Sequence, residues 1–325
     1  MSGTPQDSTH LSDVDVSLLL DEYGGEVESQ FAKSSIMRQY AKVRTVRNTD
    51  TIVNNRVGRT KIGKLVPGVR PDAQVTAFGK VSLTVDTVVI ARDNRSMLNE
   101  LQTHFDARME LAQDHGKELG KFFDQAFIIQ TIKGSLASAP TGAGGASLNG
   151  AFGAGKDVTL DNAGDELDPD KLYAAIASVI TDMEEEDIDV EELVVFTRPT
   201  YYQVLLQNDK LMSRDFSAPN GDYARGKIMT INDARIVKTA RVPNAAITGH
   251  LLSNEANSAA YDVSSSEAKA VAVIMHPKSL LAGETIPLTS DIWFDKKEKQ
   301  WFIDSFLAFA VTVSRADVCG AVFKV

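Results

Sequence analysis

Between Asn94 and Lys133, Met97, Leu98, Leu101, Phe105, Met109, Ala112, Leu119, Phe122, Phe123, Ala126 and Phe127 recur at three- and four-residue steps. That period lays them along one stripe of an α-helix. At 1.5 Å per residue the helix would be roughly 55–60 Å long. Such a length exceeds the needs of most single domains, so the helix reads as a spine along which other elements lie. Gly116 and Gly120 lower its propensity and predict a bend. Asn94-Arg95-Ser96 matches a glycosylation sequon but is read as the start of this helix.

Upstream, residues 1 to about 15 read as a mobile terminus. Val16–Tyr23 predicts a short helix stopped by Gly24 and Gly25, and a second amphipathic stretch runs through Val27, Phe31 and Ile36. From Lys42 to Arg92 the chain turns extended, with alternation at Val81, Leu83, Val85, Val88 and Ile90. Between the extended arms lies a turn-rich stretch with Gly58, Gly63, Pro67, Gly68, Pro71 and Gly79. It has too few large apolar residues to bury a core of its own, so the segment reads as a long projecting hairpin.

Downstream, residues 134–168 are rich in Gly, Ala and Ser and predict a loop, or a segment ordered on assembly. A compact α/β region follows. Asp168-Pro169 opens a helix carrying Leu172, Ile176, Val179 and Ile180. Leu193–Phe196 and Lys269–Met275 read as buried strands, and Pro199–Leu206 and Pro277–Ala282 as short helices. Lys227–Ile231 and Ala234–Val237 pair around Asn232-Asp233, a tight-turn signal. Ile292 and Phe294, the charged turn Asp295–Lys299, then Trp301, Ile303 and Phe306 form a hairpin, and Ala321–Val325 a last strand.

Charge is unevenly spread. The whole chain of 325 residues carries a net charge of −10, which opposes general nucleic-acid binding. Yet Lys33, Arg38, Lys42, Arg44, Arg47, Arg56, Arg59, Lys61, Lys64 and Arg70 face only one acid, Asp50, between residues 33 and 70. A split of this kind suits a basic segment reaching an acidic surface on another copy. Tyr40 and Phe78 do not interleave with these cations as a nucleic-acid stacking platform would require. The acidic run holding Glu184, Glu185, Glu186 and Asp187 reads as a solvated helix end and a candidate docking surface for the basic hairpin. No apolar run is long enough to span a bilayer, and no secretory leader is expected. The single cysteine, Cys319, fits a reducing cytoplasm during synthesis.

Catalytic chemistry is hard to place. Gly150-Ala151-Phe152-Gly153-Ala154-Gly155-Lys156-Asp157 meets phosphate-loop spacing up to the lysine, but Asp157 replaces the Mg²⁺-binding hydroxyl and no buried strand precedes it. His10, His104, His115, His250 and His276 are too scattered for a metal site, and no serine or cysteine sits in a nucleophile elbow. No catalytic residue, cofactor or metal is expected.

Some local sequences carry a family likeness. Tyr23-Gly24-Gly25-Glu26-Val27 leading to Phe31-Ala32, Gly58-Arg59-Thr60 followed by Pro67-Gly68, Arg214-Asp215-Phe216 with Asn220-Gly221-Asp222-Tyr223, and the ending Gly320-Ala321-Val322-Phe323-Lys324-Val325 occur in one order. Over residues 16–325 this order resembles the major capsid proteins of short-tailed, autographivirus-like podoviruses. The resemblance implies an α+β, Hong Kong 97-type capsid fold. Its parts would be an N-terminal arm (1–48), an extended E-loop (49–92), a peripheral-domain spine helix (93–134), a glycine-rich loop (135–166), an axial domain (167–285) and a peripheral hairpin with final strand (286–325). It also implies hexamers and pentamers closing an icosahedral head around double-stranded DNA, and contacts to scaffolding, portal and decoration proteins. DNA contact would be weak and non-specific, no membrane would be involved, and assembly would occur in the host bacterial cytoplasm. Arg56, Arg59, Lys61, Lys64 and Arg70 would lie in the E-loop as inter-subunit contacts. In some members of the wider fold an E-loop lysine forms an isopeptide cross-link; Lys61 and Lys64 lie in that segment but read as salt-bridge residues. Three other readings have distinct tests: an encapsulin-type nanocompartment shell, a nucleotide-binding enzyme using Lys156, and a nucleic-acid-binding protein with steep salt dependence.

Overall fold

In the computed structural model, which describes residues 13–64, 67–68, 75–96, 107–208, 211, 221–222, 227–228 and 230–325, the chain divides into two units. The first is Met1–Ile36, Thr87–Phe123 and Thr285–Phe309; the second is Met37–Asp86, Asp124–Glu284 and Ala310–Val325.

The first unit starts with α1 (Asp13–Ser34). It runs through Gly24 and Gly25, where a stop was expected. Tyr23, Val27 and Phe31, spaced four apart, bury on one face, and that burial outweighs the roughly 1 kcal/mol each glycine costs a helix. A strand, β4 (Val89–Ser96), follows. Asn94–Ser96, expected to open the long helix, is therefore strand, with Asn94 opposite Phe302 and Ser96 opposite Gln300. The spine helix α3 is described over Ala107–Ser135, and its expected beginning, including Met97, Leu98, Leu101 and Phe105, lies outside the described residues.

Helix α3 runs unbroken through Gly116 and Gly120. They let α1 approach. A Cβ on Gly116 would stand 2.5 Å from the Val27 carbonyl oxygen, and one on Gly120 3.0 Å from Ser34 Cβ. A hairpin of β12 (Leu280–Asp295) and β13 (Gln300–Val313) completes this unit, β13 lying antiparallel to β4. Ile292 and Ile303 pack on Tyr23, Val27 and Ala112. Phe123 meets Phe31 edge-on at 5.7 Å and Phe309 at 4.8 Å. Buried Tyr23 and His115 form a chain with the half-exposed Asp93. Asp93 only accepts, so His115 donates to it from Nε2 (2.8 Å), while Nδ1 lies 2.8 Å from the Tyr23 hydroxyl. Burial pushes the Tyr23 hydroxyl up to about 12, which keeps it a donor.

The second unit is built on a six-stranded sheet. Its strands are β5 (Lys156–Thr159), β6 (Val194–Thr197), β9 (Thr230–Ile231), β10 (Ala234–Lys238), β11 (Ala270–Met275) and β14 (Cys319–Phe323), in the order β5-β14-β11-β6-β10-β9. β6, β11 and β14 are buried at every position, which is why they read as continuous apolar runs. Helix α4 (Pro169–Glu184) covers this core with Leu172, Ile176, Val179, Ile180 and Met183. Its cap is the expected one: the Asp168 side chain accepts from the Asp170 and Lys171 amides. The β9–β10 turn also follows expectation, with Asn232 and Asp233 both at positive φ (46° and 66°).

Other expectations change. Lys227–Ile231 splits into β8 (Lys227–Ile228), paired with β7 (Gly221–Asp222), and β9. Pro277–Ala282 is a turn leading into β12 and not a helix, because Leu280, Leu281 and Ala282 bury as strand. The glycine-rich segment contributes β5, parallel to β14. The final strand thus belongs to this sheet, and residues 286–325 divide between the two units. Two short elements, α2 (Met37–Tyr40) and β1 (Val43–Thr45), precede the hairpin β2 (Thr51–Val57) and β3 (Phe78–Thr84), and α5 (Pro199–Leu205) follows β6. No described helix is long and apolar enough to cross a membrane.

The burial of His276 is expected to make the stability of the second unit depend on pH. His276 accepts the Lys278 amide at Nδ1 (3.0 Å) and faces Glu192 with Nε2 at 3.0 Å. Burial holds its pKa below the usual histidine value; Lys278 and Arg315 lower it further, while Glu192 and Asp189 oppose. The unfolded chain then binds a proton that the folded chain resists. This contribution to stability is complete above the ordinary value of about 6.5 and is lost as pH falls toward the folded value. Chemical denaturation at pH 7.5 and 5.5 should show lower stability at 5.5, and His276→Gln should reduce that difference, His250 supplying part of the remainder because burial lowers its pKa too. An equal difference in both proteins would refute it.

Candidate functional site

The β2–β3 hairpin buries little of itself: Leu83 is the one buried residue in its two strands. Its seven-residue ladder pairs Thr51 with Thr84 and Val57 with Phe78. Alternation gives it two faces. Ile52, Asn54, Arg56, Val81 and Leu83 point toward the second unit's own body. Gly283 receives Ile52: a Cβ there would lie 2.6 Å from Ile52 Cδ1. The opposite face leaves Val53, Val57 and Phe78 48%, 50% and 61% exposed beside Lys80. Exposed apolar residues clustered on a sheet face mark a contact surface.

The predicted cations separate. Arg56 turns inward: its Nε donates to the Ser314 carbonyl at 3.0 Å, and its guanidinium lies 5.9 Å from the Phe152 ring centroid. Burial holds its pKa below the usual arginine value. Arg59, Lys61 and Lys64 are exposed, as is Ile62 between them. Arg70 lies outside the described residues. On the acidic side, Glu184, Glu185, Glu186 and Asp187 are exposed at the end of α4, and Glu186 is paired with Lys156. The sequence offered no signal that would set Arg56 apart from its neighbours, because its partner is a backbone carbonyl.

Lys156 answers the nucleotide question. It begins β5 opposite Gly320, no helix follows it, and its ammonium is held by Glu186. A Cβ on Gly153 would meet Glu186 Oε2 at 2.6 Å. A carboxylate in that place repels phosphate. Among the described residues no group of His, Cys, Asp and Glu could hold a metal ion. Cys319 is fully buried and its thiol is pushed up to about 12, far from a nucleophile's range. His10, His104, Arg214, Asp215, Phe216 and Asn220 lie outside the described residues.

The arrangement of hairpin, spine helix and six-stranded sheet is the capsid-shell fold of tailed phages. It matches the mature capsid subunit of bacteriophage PhiM1 with a TM-score of 0.77 at 25% identity, covering 100% of this chain and 91% of that one. The capsid of cyanophage P-SCSP1u matches with 0.77 at 16% identity, over 90% and 88% of the two chains. A virus-like particle from Pyrococcus furiosus matches less well, with 0.56 at 10% identity, over 94% and 99%. No curated protein sequence matched. The family described as "Gp10A-like: Major capsid protein" matches residues 83–285, and the chain belongs to it. It is a structural subunit of the virion head shell and not an enzyme, and the shell is built from copies of itself. A nanocompartment reading is not favoured.

Proposed function

We propose that the β2–β3 hairpin is the E-loop through which each subunit grips its neighbour in the icosahedral head of a short-tailed, double-stranded DNA phage. The observation that carries this is the hairpin's uncovered face: Val53, Val57 and Phe78 exposed, with Arg59, Lys61 and Lys64 at the distal end. The first unit, with α1, is then the N-terminal arm and peripheral domain, and the six-stranded sheet is the core of the axial domain that gathers into hexamers and pentamers. Glu184, Glu185 and Asp187 form the acidic surface offered to a neighbour's cations. Exposed ion pairs contribute roughly 0–1 kcal/mol each. Many weak contacts suit a shell that first assembles reversibly, on scaffolding protein and around a portal in the host cytoplasm. A net charge of −10 lets packaged DNA slide along the wall without sticking. Decoration proteins would bind the finished exterior.

Electron microscopy and sedimentation of the purified protein, alone and co-expressed with the candidate scaffolding protein, test this. Wild type should give closed shells or capsomer rings, and Arg59→Glu/Lys61→Glu/Lys64→Glu should leave folded, unassembled subunits. Normal shells from the triple variant would overturn the hairpin's role.

A further inference from the structure

The glycine-rich segment, expected as a loop or as a segment ordered on assembly, is engaged with the hairpin in the single subunit. Arg59 donates its amide to Leu148 O at 3.0 Å, and Asn149 Nδ2 reaches Arg59 O at 3.4 Å. Missing side chains allow this contact. A Cβ on Gly58 would be 3.1 Å from Leu148 O, one on Gly79 3.2 Å from Thr141 O, and one on Gly142 3.0 Å from Phe78 O. Beneath them Phe152 has two guanidinium neighbours, Arg56 at 5.9 Å and Arg315 at 5.2 Å from its ring centroid. Two cations at one ring are tolerable because each is otherwise held. Arg56 donates to Ser314 O, and Arg315 Nε donates to the buried Asp317 carboxylate at 3.2 Å. Asn54 Nδ2 adds a bond to Ser314 Oγ at 2.9 Å.

We propose that Arg56, Phe152 and Arg315 form a latch that fixes the direction of the β2–β3 hairpin in the free subunit, so that it meets the neighbouring copy already aimed. This rests on the reading of the hairpin as an inter-subunit grip. Physically, a hairpin with one uncovered face would otherwise lose orientational freedom on docking, and presetting it removes that cost. Swinging the hairpin breaks the Arg59–Leu148 bond to the glycine-rich loop and the Arg56–Ser314 bond to the body of the unit together. Lysine cannot replace Arg56, since a compact ammonium lacks the planar fork that donates to Ser314 while facing Phe152.

Hydrogen exchange on full-length, unassembled subunits tests the latch. Amides of residues 51–57 and 78–84 should be protected in wild type and exchange about tenfold faster in Arg56→Gln and Phe152→Leu, with Arg56→Lys close to Arg56→Gln. Strand β11 should keep its protection in all three, showing that the unit remains folded, and Val53→Ala on the uncovered face should change nothing. Under assembly conditions the latch variants should form fewer and irregular shells. Unchanged exchange in Arg56→Gln and Phe152→Leu would overturn the latch, as would lost protection with shells of normal yield and size. The two readings fail separately. Normal assembly after charge reversal at Arg59, Lys61 and Lys64 removes the grip itself, whereas unchanged exchange in the Arg56 and Phe152 variants removes only the latch.

Discussion

Phe123→Ala is expected to destabilise the first unit by about 3–5 kcal/mol, the usual cost of deleting a buried phenylalanine. Phe123 has no solvent exposure and touches aromatic rings from two other elements, Phe31 on α1 and Phe309 on β13. Neither neighbour can follow the lost ring without leaving its own backbone position, so a cavity remains. Both tryptophans, Trp293 and Trp301, sit on the hairpin of this unit, and their fluorescence reports its unfolding in urea directly. Phe122 is only partly buried and serves as the control, with a smaller loss expected for Phe122→Ala. A change below about 1 kcal/mol at Phe123 would contradict this packing.

Gly155→Ala should be comparably damaging for a different reason. Its Cβ would stand 2.2 Å from Gly134 O and 2.3 Å from Ser135 O, both backbone atoms that no rotamer change can move aside. The Gly155 amide meanwhile donates to Ala137 O at 2.9 Å, holding the chain in that close approach. Overpacking of this kind costs about 3 kcal/mol at the upper end of its usual range. In a unit of this size that lowers the melting temperature by roughly 6–12 °C. Differential scanning calorimetry on unassembled subunits reads it, and an unchanged melting temperature would show that the end of α3 yields freely.

Where burial follows a simple period, the sequence was readable. The stripe of α3 from Met109 onward, the apolar strands β6 and β11, the Asp168-Pro169 helix start and the Asn232-Asp233 turn each combine a local signal with a local outcome. Errors arose where a distant partner decides. Gly116 and Gly120 read only as weak points of the helix, because the close approach of α1 that they permit comes from a segment far away in sequence. Gly24 and Gly25 look like a stop until Tyr23 and Phe31 find their pockets. Asn94–Ser96 reads as the start of the long helix but is claimed by β13, and Leu280–Ala282 is drawn into β12 by β1, which pairs Val43 with Ala282. At the candidate site the exposed cations and the hairpin were legible. The inward turn of Arg56 was not, because a backbone carbonyl, Ser314 O, leaves no signature in composition. The Asp93–His115–Tyr23 chain was invisible for a related reason: its three members are far apart in sequence and none belongs to a recognisable spacing.

The place of β14 has a consequence in time. It lies inside the sheet, parallel to β5 and antiparallel to β11, so Lys156 waits for Gly320 and Ala272 for Val322. During synthesis on the ribosome, β5 and β11 emerge long before the strand that joins them, and both present open edges in the interval. Closure across so long a stretch of chain is slow compared with helix formation. Until this one strand inserts the sheet is incomplete, and a chain held at that stage exposes strand edges through which it can aggregate.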